Sequence, residues 1–424
     1  MNEGTGRVIA AGMRRRLTVP PASNVPLVGI AIFTFFVVTS RWSNLFTEIG
    51  IFLALLGVVL RPQDLTFPPA IRWAAAFLLW ASVSAIFAIS PETAGDALIE
   101  RLKALVIFFV VVNALRSPQQ LRFYMLLILA AFLIYPARGA LKNYIHGETV
   151  FGRAIWNKIY ANPNDLAVIT LLMLGLAMAV ATAKTLSRQL RWAVGLCIPV
   201  LLVLILLTQS RGVFLGLLVG FGPALLKRAR QRPAIALSVA LAIAVLIPAA
   251  SWHRFEAMSK LTSVETLGEA DPYGSALQRF EILKVGWQIF ESNPLVGVGI
   301  GCYNDANARF APQLGKRDAH NTYLGLAAET GLPGLLLWLG LVGSVLRYVR
   351  RRRRSLEAND STIQVRWLER AVIGCLVAGL FGTYSGLTII YLVLGTLWAS
   401  ANVLGGEPPT PAAARVARRA MRTR

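Results

Sequence analysis

The chain has 424 residues, 55% of them hydrophobic and only 15% charged, with a formal net charge of +22. So apolar a composition excludes a soluble globular protein of this length, and continuous, non-alternating apolar runs exclude an outer-membrane barrel. The positive charge lies in short clusters between apolar runs, as topology signals do, which argues against nucleic acid as a partner.

Taken in order, apolar runs near the length needed to cross roughly 30 Å of hydrocarbon fall at 25–40, 44–60, 71–89, 99–115, 121–136, 164–183, 191–208, 212–226, 234–250, 333–349, 369–386 and 388–404. The predicted fold is an all-α polytopic membrane protein of about 12 transmembrane helices with a large, partly helical periplasmic loop. Arg14, Arg15 and Arg16 precede the first run, which reads as a retained anchor and not a cleaved signal. With the N-terminus inside, most of the 43 Lys and Arg residues fall on the same side, including the Arg350–Arg354 run and the C-terminal arginines. Both termini are therefore expected in the cytoplasm.

This divides the chain into a cytoplasmic segment 1–24, helices 1–9 over 25–250, and a large outer loop at 251–322. An interfacial helix and helices 10–12 follow over 323–404, then a basic tail at 405–424. A shorter outer segment runs from about 137 to 163, and outer loops of such length are commonly functional. In the larger loop, Ser275 and Gln278 have capping-box spacing. Leu277, Phe280, Leu283, Trp287 and Phe290 then fall on one helical face, predicting an amphipathic helix on the membrane surface, over a cavity or against the bundle.

The chain has three histidines, and His320 closes the longest polar stretch. His320-Asn321 stands before the apolar stretch Tyr323 to Thr330, which Gly331 and Pro333 interrupt. The positive end of a helix there would keep the imidazole neutral and able to accept a proton, although a histidine in a loop can also serve only as a hydrogen-bonding residue. Arg211, within Gln209-Ser210-Arg211-Gly212, interrupts a long apolar stretch. An unpaired arginine at membrane depth costs at least ~2.5 kcal/mol, so it should face a cavity or mark the outer span boundary. Arg279 lies on the flank of the loop helix, where a solvated arginine is the default. Two arginine forks nevertheless suit a pyrophosphate. Arg153, Lys158 and the Asn162-Pro163-Asn164-Asp165 turn could line the same pocket, the turn also reading as a helix cap. Gly297-Val298-Gly299-Ile300-Gly301 lacks the βαβ context of a dinucleotide loop. Asp305 and Asp318 stand alone, Cys197, Cys302 and Cys375 form no CxxC, and neither a metal site nor a cofactor is expected.

Together, the Gln-Ser-Arg-Gly element, the run from Arg279 through Trp287 to Asn293-Pro294-Leu295-Val296-Gly297-Val298-Gly299, and His320-Asn321 followed after nine residues by Gly331-Leu332-Pro333-Gly334 resemble the O-antigen ligase and polymerase superfamily of bacterial inner-membrane proteins. The resemblance is strongest over about 200–345. It implies a periplasmic active site and a glycan donor linked to undecaprenyl pyrophosphate, with lipid A–core as acceptor in the ligase branch. It further implies Arg211 and Arg279 as the essential arginines and His320 as the essential histidine, in contact with membrane lipids and without a cofactor. Arg153, Lys158, Asn321 and Tyr323 are candidate substrate-binding residues. Arg254 and Arg309 are alternatives to Arg279. An O-antigen polymerase, a protein O-oligosaccharyltransferase and a lipid-linked glycan transporter remain competing readings, and the oligomeric state is open.

Overall fold

The structure, a computed structural model, describes residues 24–40, 44–62, 65–231, 275–355 and 360–405. The expected span at 234–250, the first 23 residues, Arg254 and most of the C-terminal tail lie outside the described residues. The described elements are α1 (Val25–Thr39), α2 (Asn44–Val59), α3 (Pro69–Ile86), α4 (Pro91–Ala114), α5 (Pro118–Phe132), α6 (Arg138–Ile145), α7 (Pro163–Ala181), α8 (Arg188–Thr208) and α9 (Arg211–Gln231). They continue with α10 (Ser275–Ser292), α11 (Tyr303–Phe310), α12 (Thr322–Ser355), α13 (Asp360–Ala378) and α14 (Thr388–Val403). Among the described residues no β-strand forms, only one isolated bridge between Val150 and Arg153.

Local chemistry sets the helix starts. Proline occupies the first turn of α1, α3, α4, α5 and α7, where its missing N–H costs nothing. Ser117 caps α5, Asn162 caps α7 and Ser187 caps α8, each accepting from a first-turn N–H at 2.9–3.3 Å. Among the described residues, five helical stretches are long and apolar enough to cross a membrane: Pro69–Ile86, Pro118–Ile145, Pro163–Ala181, Arg188–Thr208 and Thr322–Arg354. Three shorter apolar helices, Val25–Thr39, Leu45–Val59 and Thr388–Val403, accompany them.

Helix α7 is the central post, buried from Pro163 to Val180 almost without interruption and packed by α8 and α13. Helix α14 is similarly enclosed, against α4 and α12. By contrast, α8 turns Trp192 and Leu196 outward, as a helix bordering lipid would. Packing between apolar helices depends on close backbone approach. In α9, Gly216 and Gly220 face Gly374 and the Arg370 carbonyl of α13, with no room for a side chain. At the end of α12, the Glu369 carboxylate of α13 is buried between Arg350, at 2.8 Å, and Arg353, at 3.1 Å.

Several boundaries differ from expectation. The span expected at 369–386 begins earlier, at Asp360, and ends at Ala378; 379–387 is a loop. Helix α4 starts at Pro91, eight residues before its expected apolar core, because Ser90 and Pro91 provide a start signal. The loop helix α10 exists, but it packs on Ile282, Val285, Gly286 and Ile289. Trp287, placed by sequence on the packed face, is 54% exposed and donates its indole N–H to Glu291 at 2.6 Å. This helix has apolar residues on two faces, and the face that packs on the bundle is not the stripe of Phe280, Leu283 and Trp287. The side chain of Leu277 lies outside the described residues.

Candidate active site

His320 lies where several elements converge. Asn321 is the N-cap of α12: its Oδ1 accepts from the N–H groups of Tyr323 and Leu324, both at 3.0 Å. His320, one residue earlier, has φ 48°. That left-handed conformation costs a residue with a Cβ roughly 1–2 kcal/mol, so the surrounding contacts must hold it. The approach to it is fixed by Lys316, whose ammonium pairs with Asp305 at 2.7 Å, while Thr93 donates to the same carboxylate at 3.1 Å. Lys316 holds the Asp305 carboxyl below its usual range. Asn307 donates to the Gly315 carbonyl at 2.7 Å.

Thr322 clamps the far side. Its N–H donates to Gly379 O at 2.7 Å, its hydroxyl donates to Gly382 O at 2.6 Å, and the hydroxyl oxygen accepts from Tyr384 N–H at 2.9 Å. The 379–387 loop is thereby anchored beside His320. Tyr384 is 2% exposed, and burial pushes its phenol above the ordinary tyrosine range. Asp165, Arg279 and Arg153 all lie within electrostatic reach of it.

The first turns of α12 form a short half-helix. Gly331 breaks it at φ 68°, ψ 179°, where a Cβ would collide with Leu295 O. Its terminal carbonyls are all satisfied: Ala328 O by Val298 N–H at 2.9 Å, Glu329 O by Gly299 N–H at 3.0 Å and Ser84 at 2.8 Å, and Thr330 O by the Trp80 indole at 2.8 Å. The Glu329 carboxylate accepts from the N–H groups of Gly301 and Tyr303. The Gly297–Gly301 run is therefore a cap for this half-helix. Gly299 takes φ 106°, and Ala88 leaves no space there for a side chain.

Arg211 opens α9. Helix α8 ends at Thr208, Gln209 takes φ 50°, and the chain turns through Ser210. Gln209 donates to Gly152 O at 3.2 Å. Arg153 donates from Nε to Thr208 O and from Nη2 to Asn164 Oδ1, both at 2.7 Å. Gly212 lies flat against Phe381, so the Arg211 turn and the His320 motif border the same 379–387 loop. Arg279 approaches on α10, which is positioned by the Tyr303 hydroxyl donating to Ile282 O at 3.1 Å.

These cations act on His320. Burial lowers its pKa below the ordinary 6.5; the neighbouring Arg279 guanidinium lowers it further, as do Arg317 and Arg153, while Asp318 opposes them. Burial and guanidinium charge are the causes of this depression, where the sequence reading invoked the positive end of a helix.

His320, Arg279 and Arg153 are thus gathered, and Arg211 stands at the border of the same loop. Asn321 and Tyr323 are tied to the protein's own backbone, the latter through its hydroxyl donating to Leu376 O at 2.6 Å. Lys158 is exposed and lines a separate cavity of about 470 Å³ bordered by Phe33, Glu48, Lys103 and Leu387. Of the alternatives to Arg279, Arg309 is exposed at the end of α11. Thr322 and Tyr384 were not singled out from sequence, because neither belongs to a local motif. Asn164 was visible only as part of a cap signal. Among the described residues no three His, Cys, Asp or Glu side chains group as metal ligands would.

No curated protein matches the chain at a significant level. A family model described as O-Antigen ligase matches residues 196–339, a segment that contains Arg211, Arg279, His320 and Gly331. Over that segment, which is less than half of its length, the chain is similar to the O-antigen ligase superfamily.

Proposed function

We propose that the protein transfers an O-antigen or other surface glycan from undecaprenyl pyrophosphate to lipid A–core, at the periplasmic face of a bacterial inner membrane. The observation that carries this reading is His320: half-buried, held in a left-handed backbone and depressed in pKa beside Arg279 and Arg153, within the matched segment. In the reaction, an acceptor hydroxyl attacks the anomeric carbon and gives its proton to neutral His320. The bond from that carbon to the pyrophosphate oxygen breaks, and the charge developing on the leaving group is stabilised by Arg211 and Arg279. A single displacement inverts the anomeric centre. Arg153 adds positive charge behind the site, while Asn321 and Tyr323 hold the His320 segment for the substrates. About twelve spans, with both termini cytoplasmic, complete the proposal.

The test uses purified protein in liposomes with undecaprenyl-pyrophosphate glycan and lipid A–core, products being resolved by mass. Glycan on lipid A–core is expected, and His320→Ala should reduce transfer roughly 100-fold or more while sparing donor binding. Longer glycans on the lipid carrier alone would make the protein a polymerase. Undiminished transfer by His320→Ala would remove the proposed base.

A further inference from the structure

The Asn162-Pro163-Asn164 turn does more than start α7. Asn162 provides the cap, accepting from Asn164 N–H at 2.9 Å, and Pro163 takes the first helical position. That leaves the Asn164 side chain available, yet it is only 8% exposed. Its Oδ1 accepts two hydrogen bonds, from Arg153 Nη2 at 2.7 Å and from Ser210 Oγ at 3.0 Å. Ser210 immediately precedes Arg211. The same Arg153 reaches Thr208 O, the last residue of α8, at 2.7 Å. One amide oxygen therefore joins the outer 137–163 segment, the central helix and the break between α8 and α9. Asn164 and Arg153 both lie outside the matched segment 196–339.

We propose that Asn164 is a positioning residue: its side-chain oxygen locks Arg153 and Ser210 together, so that Arg211 is presented and the Arg153 charge is held beside His320. The proposal rests on the glycosyl-transfer reading for its effect on turnover. Its effect on His320 can be measured without turnover. A neutral acceptor suits this place. A carboxylate would bind Arg153 as well but would offset its charge, whereas an alkyl group would leave a part-buried guanidinium nitrogen and a buried hydroxyl without this acceptor. The charged groups around His320 are Arg279 on α10, Arg153 on the outer segment, and Asp318 and Arg317 on its own loop.

With three histidines in the chain, modification of His320 by diethyl pyrocarbonate can be followed by peptide mass across pH. The experiment compares full-length protein with Asn164→Asp and Asn164→Ala, alongside the donor KM and kcat of each. In Asn164→Ala, which releases the Arg153 guanidinium without adding a charge, the His320 midpoint should move upward by a few tenths of a pH unit. In Asn164→Asp, which adds a charge of its own, it should move upward by about half a unit. In Asn164→Ala, the donor KM should rise several-fold more than kcat falls, and Asn164→Gln should recover part of the loss. If both variants retain wild-type thermal stability while neither the midpoint nor the donor KM moves, the positioning role is wrong. A loss of kcat alone, in proportion to a loss of folded protein, would likewise overturn it. Wild-type protein that transfers no glycan would defeat the functional reading, and the His320 midpoint would still decide whether Asn164 sets the charge there.

Discussion

At the scale of single residues, the proposed mechanism depends on keeping one imidazole neutral among cations. A base with a depressed pKa remains competent as pH falls past the ordinary histidine value and is lost only below its own. Transfer should therefore persist below pH 6.5, the ordinary value for histidine, and decline at more acidic pH. The neighbours give the sign of each perturbation. Removing a positive charge in Arg279→Gln should raise the acid-side midpoint, and removing a negative one in Asp318→Asn should lower it, both read from pH profiles of kcat/KM. Movement in the opposite directions would mean that His320 is not the titrating base. Sequence singled out His320 and Arg211 because each breaks a local expectation, a rare histidine and an arginine inside an apolar stretch, whereas Arg279 sits where a solvated arginine is the default and was chosen through the family resemblance. Thr322 and Tyr384 broke none. Their importance arises from a knot between residues some sixty positions apart, and no local pattern encodes it.

At the scale of elements, the half-helix at the start of α12 connects fold to site. Its N-terminal end presents His320, and its C-terminal end is fastened by the Gly297–Gly301 run, Trp80 and Ser84. The break at Gly331 allows the half-helix to take a direction different from the span that follows. Sequence located this break correctly from Gly331 and Pro333. It did not reveal that the glycine-rich run caps the same half-helix, since that pairing is long-range. At Gly331, φ is 68° and Leu295 O occupies the place of a Cβ. Gly331→Ala should therefore destabilise the fold by about 2 kcal/mol or more. Because the strain falls on the His320 carrier, transfer should also drop at temperatures where the variant is still folded, as judged by thermal unfolding in detergent alongside initial rates. Wild-type stability and activity together would show that the break is not needed.

At the scale of the whole molecule, α12 is one of the helices long and apolar enough to cross a membrane. Past the break at Gly331, residues 332–355 extend about 36 Å at 1.5 Å per residue, beyond a hydrocarbon core of about 30 Å. The half-helix is offset at Gly331, yet the remaining turns still reach across. On the proposed topology, His320 at one end and the Arg350–Arg354 run at the other lie on opposite sides of the membrane. Three of those arginines have partners, Arg350 and Arg353 on Glu369 and Arg352 on the Tyr348 hydroxyl at 3.2 Å, which fixes that end of the bundle. Basic clusters stay cytoplasmic, so the His320 end should be outside, where a lipid-linked glycan would be met. Cysteine labelling in intact cells tests this directly, using the exposed positions Gln313 and Arg351. The native cysteines give little background outside the bilayer, since Cys302 and Cys375 are buried and Cys197 lies within an apolar helix. A membrane-impermeant maleimide should label Gln313→Cys in intact cells and Arg351→Cys only after the inner membrane is opened. The reverse pattern would invert the molecule, place His320 in the cytoplasm and separate it from the proposed substrates.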